Sequence, residues 1–289
     1  MRHPYPKHPA IPVAEYITSC HTADSIGLMV RTLKEKEKKL FSGSQSVIKP
    51  ALVMSDFSMA IINACLKEFN NETLSEYLQR GFDSVSGEAS KQQAAKTTHH
   101  VYTVHMIKLN KFHVKKLHER SSPESNQVHI AMWFFGRLIC CSTLEEMTNF
   151  VCLAHYIFNS KYVCSKLQAK LDKFSDVIHD FANSIDQDIE PLIVESDNTI
   201  DGEVEDDPDS LASLASLDEK KSNVWIKYWN KKESKMEKND RKCVEFNKYF
   251  MPRYFNYVLK NYLPCCVLWS WLLLWLSSRN CIQYFKTKP

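Results

Sequence analysis

The sequence predicts an α/β protein, with a small sheet of parallel strands in the first part of the chain and helices after it. Three observations favour this fold class. Apolar runs and helical periodicities alternate from residue 11 to residue 120 in the order strand, helix, strand, helix, strand, helix. From residue 127 to residue 184 the periodicity is helical throughout. Hydrophobic residues make up 44% of the 289 residues and charged residues 25%, which excludes a disordered, collagen-like or coiled-coil chain.

The three predicted strands are short apolar or alternating runs, and each is followed by a helical pattern. The strands cover residues 11–18, 50–55 and 100–105. The helices that follow them cover residues 22–40, 60–69 and 106–120. Thr22-Ala-Asp-Ser25 begins the first helix, and Ser58 stands where an N-terminal cap of the second is expected. A polar stretch, residues 84–98, precedes the third strand.

Composition divides the chain into four parts. They are residues 1–121 with the sheet, 122–184 as a helical part, 185–219 as an acidic linker, and 220–289 as a basic, aromatic helical segment that ends in a hydrophobic stretch. The linker has 13 acidic residues and no Lys or Arg, and it has too little apolar surface to fold alone. The rest of the chain carries 37 Lys and Arg against 21 Asp and Glu, a net charge of +16. Such a basic body is typical of a protein that binds a polyanion, although a solvated surface beside one linker is an alternative.

Asp56 is the first candidate functional residue. It lies where a hydrophobic strand gives way to a helix, and ligands of open α/β sheets collect at the carboxyl ends of strands. A carboxylate there, beside others on neighbouring strands, can hold two divalent metal ions for phosphoryl transfer. An Asp at this place also serves as an ordinary helix cap in many proteins, so its position alone leaves both roles open.

Several blocks of residues, in order, resemble the Mutator-like (MULE) DDE transposase-derived family, in its animal multicopy lineage. The resemblance covers roughly residues 1–275. The blocks are Ile11-Pro-Val-Ala-Glu-Tyr-Ile-Thr-Ser19, Val53-Met-Ser-Asp-Phe-Ser-Met-Ala-Ile-Ile-Asn-Ala-Cys65, Glu68-Phe-Asn70, Glu76-Tyr-Leu78, Tyr257-Val-Leu, Tyr262-Leu-Pro and Leu268-Trp-Ser.

The resemblance implies an RNase H-like sheet interrupted by an all-helical insertion. It also implies three acids that bind two Mg²⁺ or Mn²⁺ ions in an enzyme that cuts and joins DNA ends. By position Asp56 matches the second acid. His105 matches the histidine of a Cys-x-x-His element, whereas Tyr102 stands where the cysteine is expected.

The other two acids have no counterpart in this sequence. The first is expected upstream of the block at Ile11, and no Asp or Glu follows Glu245 to supply the third. One carboxylate cannot assemble a two-metal site. We therefore expect a truncated, catalytically inactive transposase-derived protein with an incomplete sheet and residual affinity for DNA. The expected partners are further copies of this chain, in a homo-oligomer, or a full-length transposase. The expected location is the nucleus.

Two basic segments are candidate nucleic-acid contacts. The first is the helix over residues 106–120, with Lys108, Lys111, Lys115, Lys116 and Arg120 at spacings of three and four. The second is near Lys227 and Lys231, where Trp225, Tyr228 and Trp229 stand among lysines. A solvated helix face is the alternative for the first segment, and an aromatic packing stripe is favoured for the second.

Three further features could each form a functional site, but the sequence favours a structural role for them. Cys152 and His155 share a helix face at i and i+3, but Cys164 and His179 follow without such a pairing, so core packing is favoured over a zinc site. The apolar run Leu263–Leu276 has 14 residues, fewer than the ~20 that cross a bilayer, so a core helix is favoured over a membrane anchor within residues 263–276. Cys265 and Cys266 beside aromatic residues are a weak signal for palmitoylation. The competing functional classes are thus an inactive transposase remnant, a domesticated DNA- or protein-interaction module, and a membrane-associated protein.

Overall fold

The computed structural model describes residues 20–40, 49–117, 125–184, 223–237 and 244–274. Over these ranges the protein is mostly helical and contains one two-stranded parallel sheet. The strand predicted at residues 11–18, the turn at 42–46, the linker at 185–219 and the tail beyond residue 274 lie outside the described residues.

The sheet joins β1 (Leu52–Ser55) to β2 (Thr98–Val101) in parallel, with Val53 opposite His99. The predicted parallel arrangement is therefore confirmed for these two strands. The third predicted strand was placed too late in the chain, since β2 ends at Val101 rather than at residue 105. Its partner β1 is only four residues long, and pairing stops with the bond from the Tyr102 N–H to the Ser55 carbonyl at 2.9 Å.

The helix that precedes β1 in the sequence packs against the helix that follows it. They are α1 (Ala23–Leu40) and α2 (Met59–Asn70), close to their predicted bounds. Arg31 of α1 lies 3.4 Å from the carboxylate of Glu68, and Lys34 donates a 2.6 Å hydrogen bond to the Glu68 carbonyl. Ser58 is the N-cap of α2 as predicted, but its side chain makes no capping hydrogen bond.

A third helix, α3 (Leu74–Ser86), extends into the stretch predicted to be only polar, and a short helix, α4 (Lys91–Ala94), follows it. Thr73 and Glu76 form a capping box at the start of α3, in which each side chain accepts a hydrogen bond from the backbone N–H of the other. This reciprocal bonding satisfies two N–H groups that a helix start otherwise leaves without partners. The hydroxyl of Tyr77 on α3 donates to the His99 carbonyl of β2 at 2.6 Å.

The amino end of the sheet is closed by a buried polar network. Arg80 donates two hydrogen bonds to Glu72, at 2.8 and 3.0 Å, and a third to the Thr97 carbonyl that precedes β2. The side-chain amide of Asn70 donates to Glu72 and Thr97 and accepts from the Thr97 N–H. Because the charged groups here are paired and hydrogen-bonded, their burial is tolerated.

Four helices follow the sheet: α5 (Thr103–Leu117), α6 (Ser125–Ile139), α7 (Leu144–Asn159) and α8 (Ser165–Ser184). Helix α5 begins three residues earlier than predicted because β2 ends early, and it continues to the last described residue of this range, Leu117. The helical character predicted for residues 127–184 is confirmed, with short breaks between the helices.

The last described elements are α9 (Val224–Glu233) and a bent helical run from Pro252 to Trp269. The run consists of α10 (Pro252–Tyr257), a π-helix (Val258–Tyr262), a 3₁₀ turn (Leu263–Cys265) and α11 (Cys266–Trp269). Pro264 explains the irregularity, because it has no N–H for the preceding turn and its ring crowds the carbonyl four residues earlier.

Buried side chains from residues 1–121, 122–184 and 220–289 lie in one continuous cluster. The bent helical run contacts α5, α7, α3, α9 and β2, so it lies inside this core. Among the described residues one stretch, Pro252–Leu274, is long and apolar enough to cross a membrane, and 67% of its most apolar part is buried within the protein. Burial inside a core is what the sequence favoured for this stretch.

Candidate nucleic-acid interface at the carboxyl edge of the sheet

Asp56 follows β1 directly, at the carboxyl edge of the sheet. Its side chain is 71% exposed, and its Oδ1 lies 4.0 Å from Nδ1 of His105 on the first turn of α5. The Asp56 carbonyl accepts a 2.8 Å hydrogen bond from the Ser58 N–H, which turns the chain from the strand into α2. The predicted position of Asp56, between a strand and a helix, is confirmed.

The side chains at this edge do not fit the pair of divalent ions that the family resemblance implies. Asp56 and His105 supply one anionic donor and one nitrogen, whereas Mg²⁺ requires oxygen ligands and two ions need several carboxylates. Within the described ranges, no group of three His, Cys, Asp or Glu side chains could hold a metal ion.

Behind the exposed edge, β2 places two histidines in the interior. Nε2 of His99 lies 3.0 Å from the Ser55 hydroxyl, and both ring nitrogens of His100 are buried without a hydrogen-bond partner among the described residues. Burial lowers the pKa of His99 and of His100 to about 4, so both rings are neutral at pH 7. They are therefore interior side chains of the sheet rather than part of its exposed edge.

The exposed face of α5 begins where β2 ends. We use the name α5 strip for Tyr102, Lys108, Phe112, Lys115 and Lys116, all of which are exposed. At 100° per residue, the four helical members fall within about 100° of one another around the axis. The helical members of the strip therefore place three ammonium groups and the Phe112 ring on one side of α5, and the exposed Tyr102 directly precedes the helix.

Lys111 does not belong to this surface, although the sequence grouped it with the other lysines of the helix. It is 6% exposed, on the side of α5 that packs into the protein, so it is not available for a phosphate contact. Arg120 lies outside the described residues. His113, on the buried face, has one ring nitrogen 2.9 Å from the hydroxyl of Tyr262 and the other 2.9 Å from that of Tyr257.

The second basic segment divides between surface and core. Lys227 and Lys231 are exposed on α9, as a phosphate-contacting role requires. Trp225 and Trp229 are buried and donate hydrogen bonds to the carbonyls of Leu78 and Leu263, at 2.9 and 3.1 Å. The favoured packing interpretation of these tryptophans is thus confirmed, and their rings are not available to stack on bases.

The other cysteine and histidine candidates lie in or against the core. Cys152 is half-buried on α7, His155 is buried beside the Phe255 ring, and Cys164 is half-buried. The fourth zinc candidate, His179, belongs to a stretch whose side chains are not described. Burial raises the pKa of the Cys265 thiol to about 12 and that of Cys266 well above its usual value, so neither is a reactive acceptor for a lipid chain in this fold.

The sequence analysis missed Tyr102 and Phe112 as members of the surface. Tyr102 was considered only as a substitute for a cysteine, and Phe112 was not singled out. A signal was present, because Phe112 lies four residues from Lys108 and four from Lys116, which share its helix face.

A separate cleft of about 840 Å³ lies between α6, α8 and residues 244–249. Its lining includes Trp133, Phe174, Tyr249, Asp172, Glu245 and Lys248. The cleft carries both signs of charge, whereas every charged member of the α5 strip is a lysine.

No protein-family model, no curated protein and no solved structure matches this chain. The expectation of a transposase origin therefore rests on the residue blocks alone.

Proposed function

We propose that this protein binds nucleic acid through the α5 strip and descends from a DDE transposase. The observation that carries the proposal is the basic face of α5, with Lys108, Lys115 and Lys116 exposed on the helix that begins at the carboxyl edge of the sheet. Lysine ammonium groups bind phosphates and release their counterions, which is the main source of affinity for DNA and RNA. The net charge of +16 outside the acidic linker supports the proposal, because it attracts a polyanion over a distance.

The proposal includes an RNase H-like origin for the sheet. Two features of the described residues support it. The two strands are parallel and each is followed by a helix, and the acid that the family resemblance designates stands at the carboxyl edge. The helical insertion that the family resemblance implies corresponds in sequence to α6, α7 and α8.

We further propose that the chain has no strand-transfer activity of its own. Its designated acid, Asp56, has one histidine beside it, and a lone carboxylate neither holds two metal ions nor activates a hydroxyl. A nicking and strand-transfer assay with Mg²⁺ and with Mn²⁺ tests this directly. Activity that Asp56→Ala abolishes would refute the proposal of an inactive protein and leave the binding proposal intact.

Binding is tested by fluorescence anisotropy with labelled DNA at several NaCl concentrations. Replacement of Lys108, Lys115 and Lys116 together by Gln removes three phosphate contacts. The slope of log K against log salt should become shallower by about 0.9 per lysine on duplex DNA.

The matched control is the replacement of Lys36, Lys38 and Lys39 by Gln. These lysines are exposed on α1, so the control variant has the same net charge. It should retain a slope close to that of the wild type. An equal change in both triple variants would show that total charge, rather than the α5 strip, determines binding. An unchanged slope in the α5 variant would contradict the proposal.

A second, smaller contact is expected on α9. Lys227 and Lys231 are exposed one helical turn apart. If both contact phosphates, Gln at both positions should make the slope of log K against log salt shallower by up to about 1.8. An unchanged slope would remove α9 from the interface without affecting the α5 strip.

A further inference from the structure

We infer that the α5 strip selects unpaired nucleic acid, with Tyr102 and Phe112 as stacking platforms for bases. This inference rests on the proposed function and deepens it by naming the substrate class. A positively charged surface with exposed aromatic rings is the arrangement by which proteins bind single strands without sequence preference.

The exposure of the two rings is the first observation. Tyr102 is 51% exposed and Phe112 is 40% exposed, and Phe246 is the third exposed aromatic side chain within the described ranges. Phe246 lines the cleft between α6 and α8, beside the exposed Lys248, and is not part of α5. Two of these three rings therefore lie on α5 or directly before it, and the exposed side of α5 carries three lysines.

The support beneath the two rings is the second observation. The backbone of Tyr102 is fixed on both sides, because its N–H donates to the Ser55 carbonyl at 2.9 Å and its carbonyl accepts from the Met106 N–H at 3.2 Å. Phe112 packs edge-on against the His113 ring, with 5.5 Å between ring centroids, and His113 is itself held by two tyrosine hydroxyls. A fixed backbone at Tyr102 and a packed ring at Phe112 reduce the conformational entropy that is lost when a base stacks there.

The arrangement of charge around the rings is the third observation. Lys116 Nζ lies 5.7 Å from the centroid of the Phe112 ring, and Lys108 lies one turn of helix before it. Tyr102 precedes the helix directly and Phe112 lies ten residues after it, which is about 15 Å along the axis. A strand that follows the axis can thus place its phosphates on lysines and its bases on both rings.

A duplex cannot use these rings in the same way. Its bases are stacked on one another, and a protein surface that does not enter a groove meets mainly phosphates and sugars. Unpaired bases present their π-faces to side chains, and every base can stack. The rings should therefore add affinity for single strands and little for duplexes.

The test compares four probes of about 12 nucleotides, a length within the range that single-strand sites cover. They are single-stranded DNA, single-stranded RNA of the same sequence, the DNA duplex, and a DNA strand in which abasic sites replace the bases. The variant is Tyr102→Leu with Phe112→Leu, which retains apolar side chains, and Phe246→Leu is the matched control.

The wild-type protein should bind both single strands more tightly than the duplex and the abasic strand. In the variant, the affinity for single strands should fall about tenfold per ring and the affinity for the duplex less than about twofold. The slope of log K against log salt should stay the same. Phe246→Leu should leave all four affinities unchanged. The single variant Tyr102→Leu, at the more exposed of the two positions, provides the same comparison if Phe112→Leu impairs folding, which a thermal melt reports.

The inference would be overturned if the double variant lost the same affinity for the single strand as for the duplex. It would also be overturned if the wild-type protein bound the normal and abasic strands equally well. In that case the lysine variant would still weaken binding and the proposed function would stand. If the lysine variant leaves every affinity unchanged, the proposed function itself fails.

Discussion

At the amino end of the two strands Glu72 is buried and bound by Arg80, whereas at the carboxyl end Asp56 is exposed and has His105 at 4.0 Å. Both ends hold an acid and a base close to backbone that leads into or out of a strand. They differ in solvent access and in geometry, since the Glu72 pair is bidentate at 2.8 and 3.0 Å.

This difference shows that the amino end of the sheet stabilises the fold, whereas the carboxyl end is accessible to a ligand. Removing one member of a buried, hydrogen-bonded pair leaves a charge without compensation, whereas an exposed pair is screened and contributes little. The amino end thus holds α2, α3 and β2 together, and the carboxyl end is left open to solvent beside the α5 strip.

The largest effect expected for a single substitution is at the amino end. Arg80→Met leaves the Glu72 carboxylate buried with only Lys96 and Asn70 beside it, and should lower the free energy of unfolding by about 3–5 kcal/mol. Urea denaturation at pH 7 measures it. Glu72→Gln combined with Arg80→Met should recover part of the loss, because no charge then remains buried. A loss below about 1 kcal/mol in Arg80→Met would contradict the role given to this network.

The next effect concerns the three buried histidines of the fold. Burial lowers the pKa of His99, His100 and His113 to about 4, against 6.5 for a free side chain. Between these values the unfolded chain binds more protons, so stability is fully present above pH 6.5 and falls as the pH drops towards 4. Each ring should contribute about 1.4 kcal/mol per pH unit to this loss.

His100→Leu tests this pH dependence, because leucine cannot take up a proton. From pH 7 to pH 5 the wild type should lose about 2 kcal/mol more of its free energy of unfolding than the variant does, as measured by urea denaturation. Val101→Ala, at a buried position of the same strand that has no titratable side chain, is the control and should keep the wild-type pH dependence. An unchanged pH dependence in His100→Leu would show that this ring does not titrate as its burial indicates.

A smaller effect is expected at the edge of β2 that faces away from β1. The Tyr77 hydroxyl donates to the His99 carbonyl and accepts from its N–H, so it bonds to both backbone groups of that residue. Tyr77→Phe leaves both without this partner and should cost about 1–3 kcal/mol. Hydrogen exchange of the His99 amide should accelerate together with the loss in stability. Tyr102→Phe, at an exposed position, is the control and should leave stability unchanged.

The smallest effect is expected at the carboxyl edge. Asp56→Asn should change the free energy of unfolding by less than about 0.5 kcal/mol, because the carboxylate is exposed and its partner lies at 4.0 Å. Thermal and urea denaturation at low and high salt measure it. A loss as large as that of Arg80→Met would remove the contrast between the two ends.

The sequence predicted well those elements whose signals are local. The bounds of α1 and α2 and the place of Asp56 follow from apolar spacing and from the polar residues that end each run. Helix α3 was also within reach, since Thr73-x-x-Glu76 is the pattern of a capping box. The resemblance to a transposase family added the role of Asp56, which remains a prediction.

What the sequence could not predict depends on contacts between distant segments. Lys111 belongs to the same run of lysines as Lys108 and Lys115, and its burial depends on which side of α5 packs against the rest of the protein. The end of β2 at Val101 depends on the length of β1, some forty residues earlier in the chain. Local periodicity contains no information about either partner.

The bent run from Pro252 to Trp269 has a consequence for biosynthesis. It follows every other described helix and strand along the chain, yet it contacts α3, α5, α7, α9 and β2. While the ribosome is still translating the segments before it, the nascent polypeptide has no closed interior and exposes the apolar surfaces that this run will cover. Such a chain completes its native packing only after that stretch has emerged from the exit tunnel.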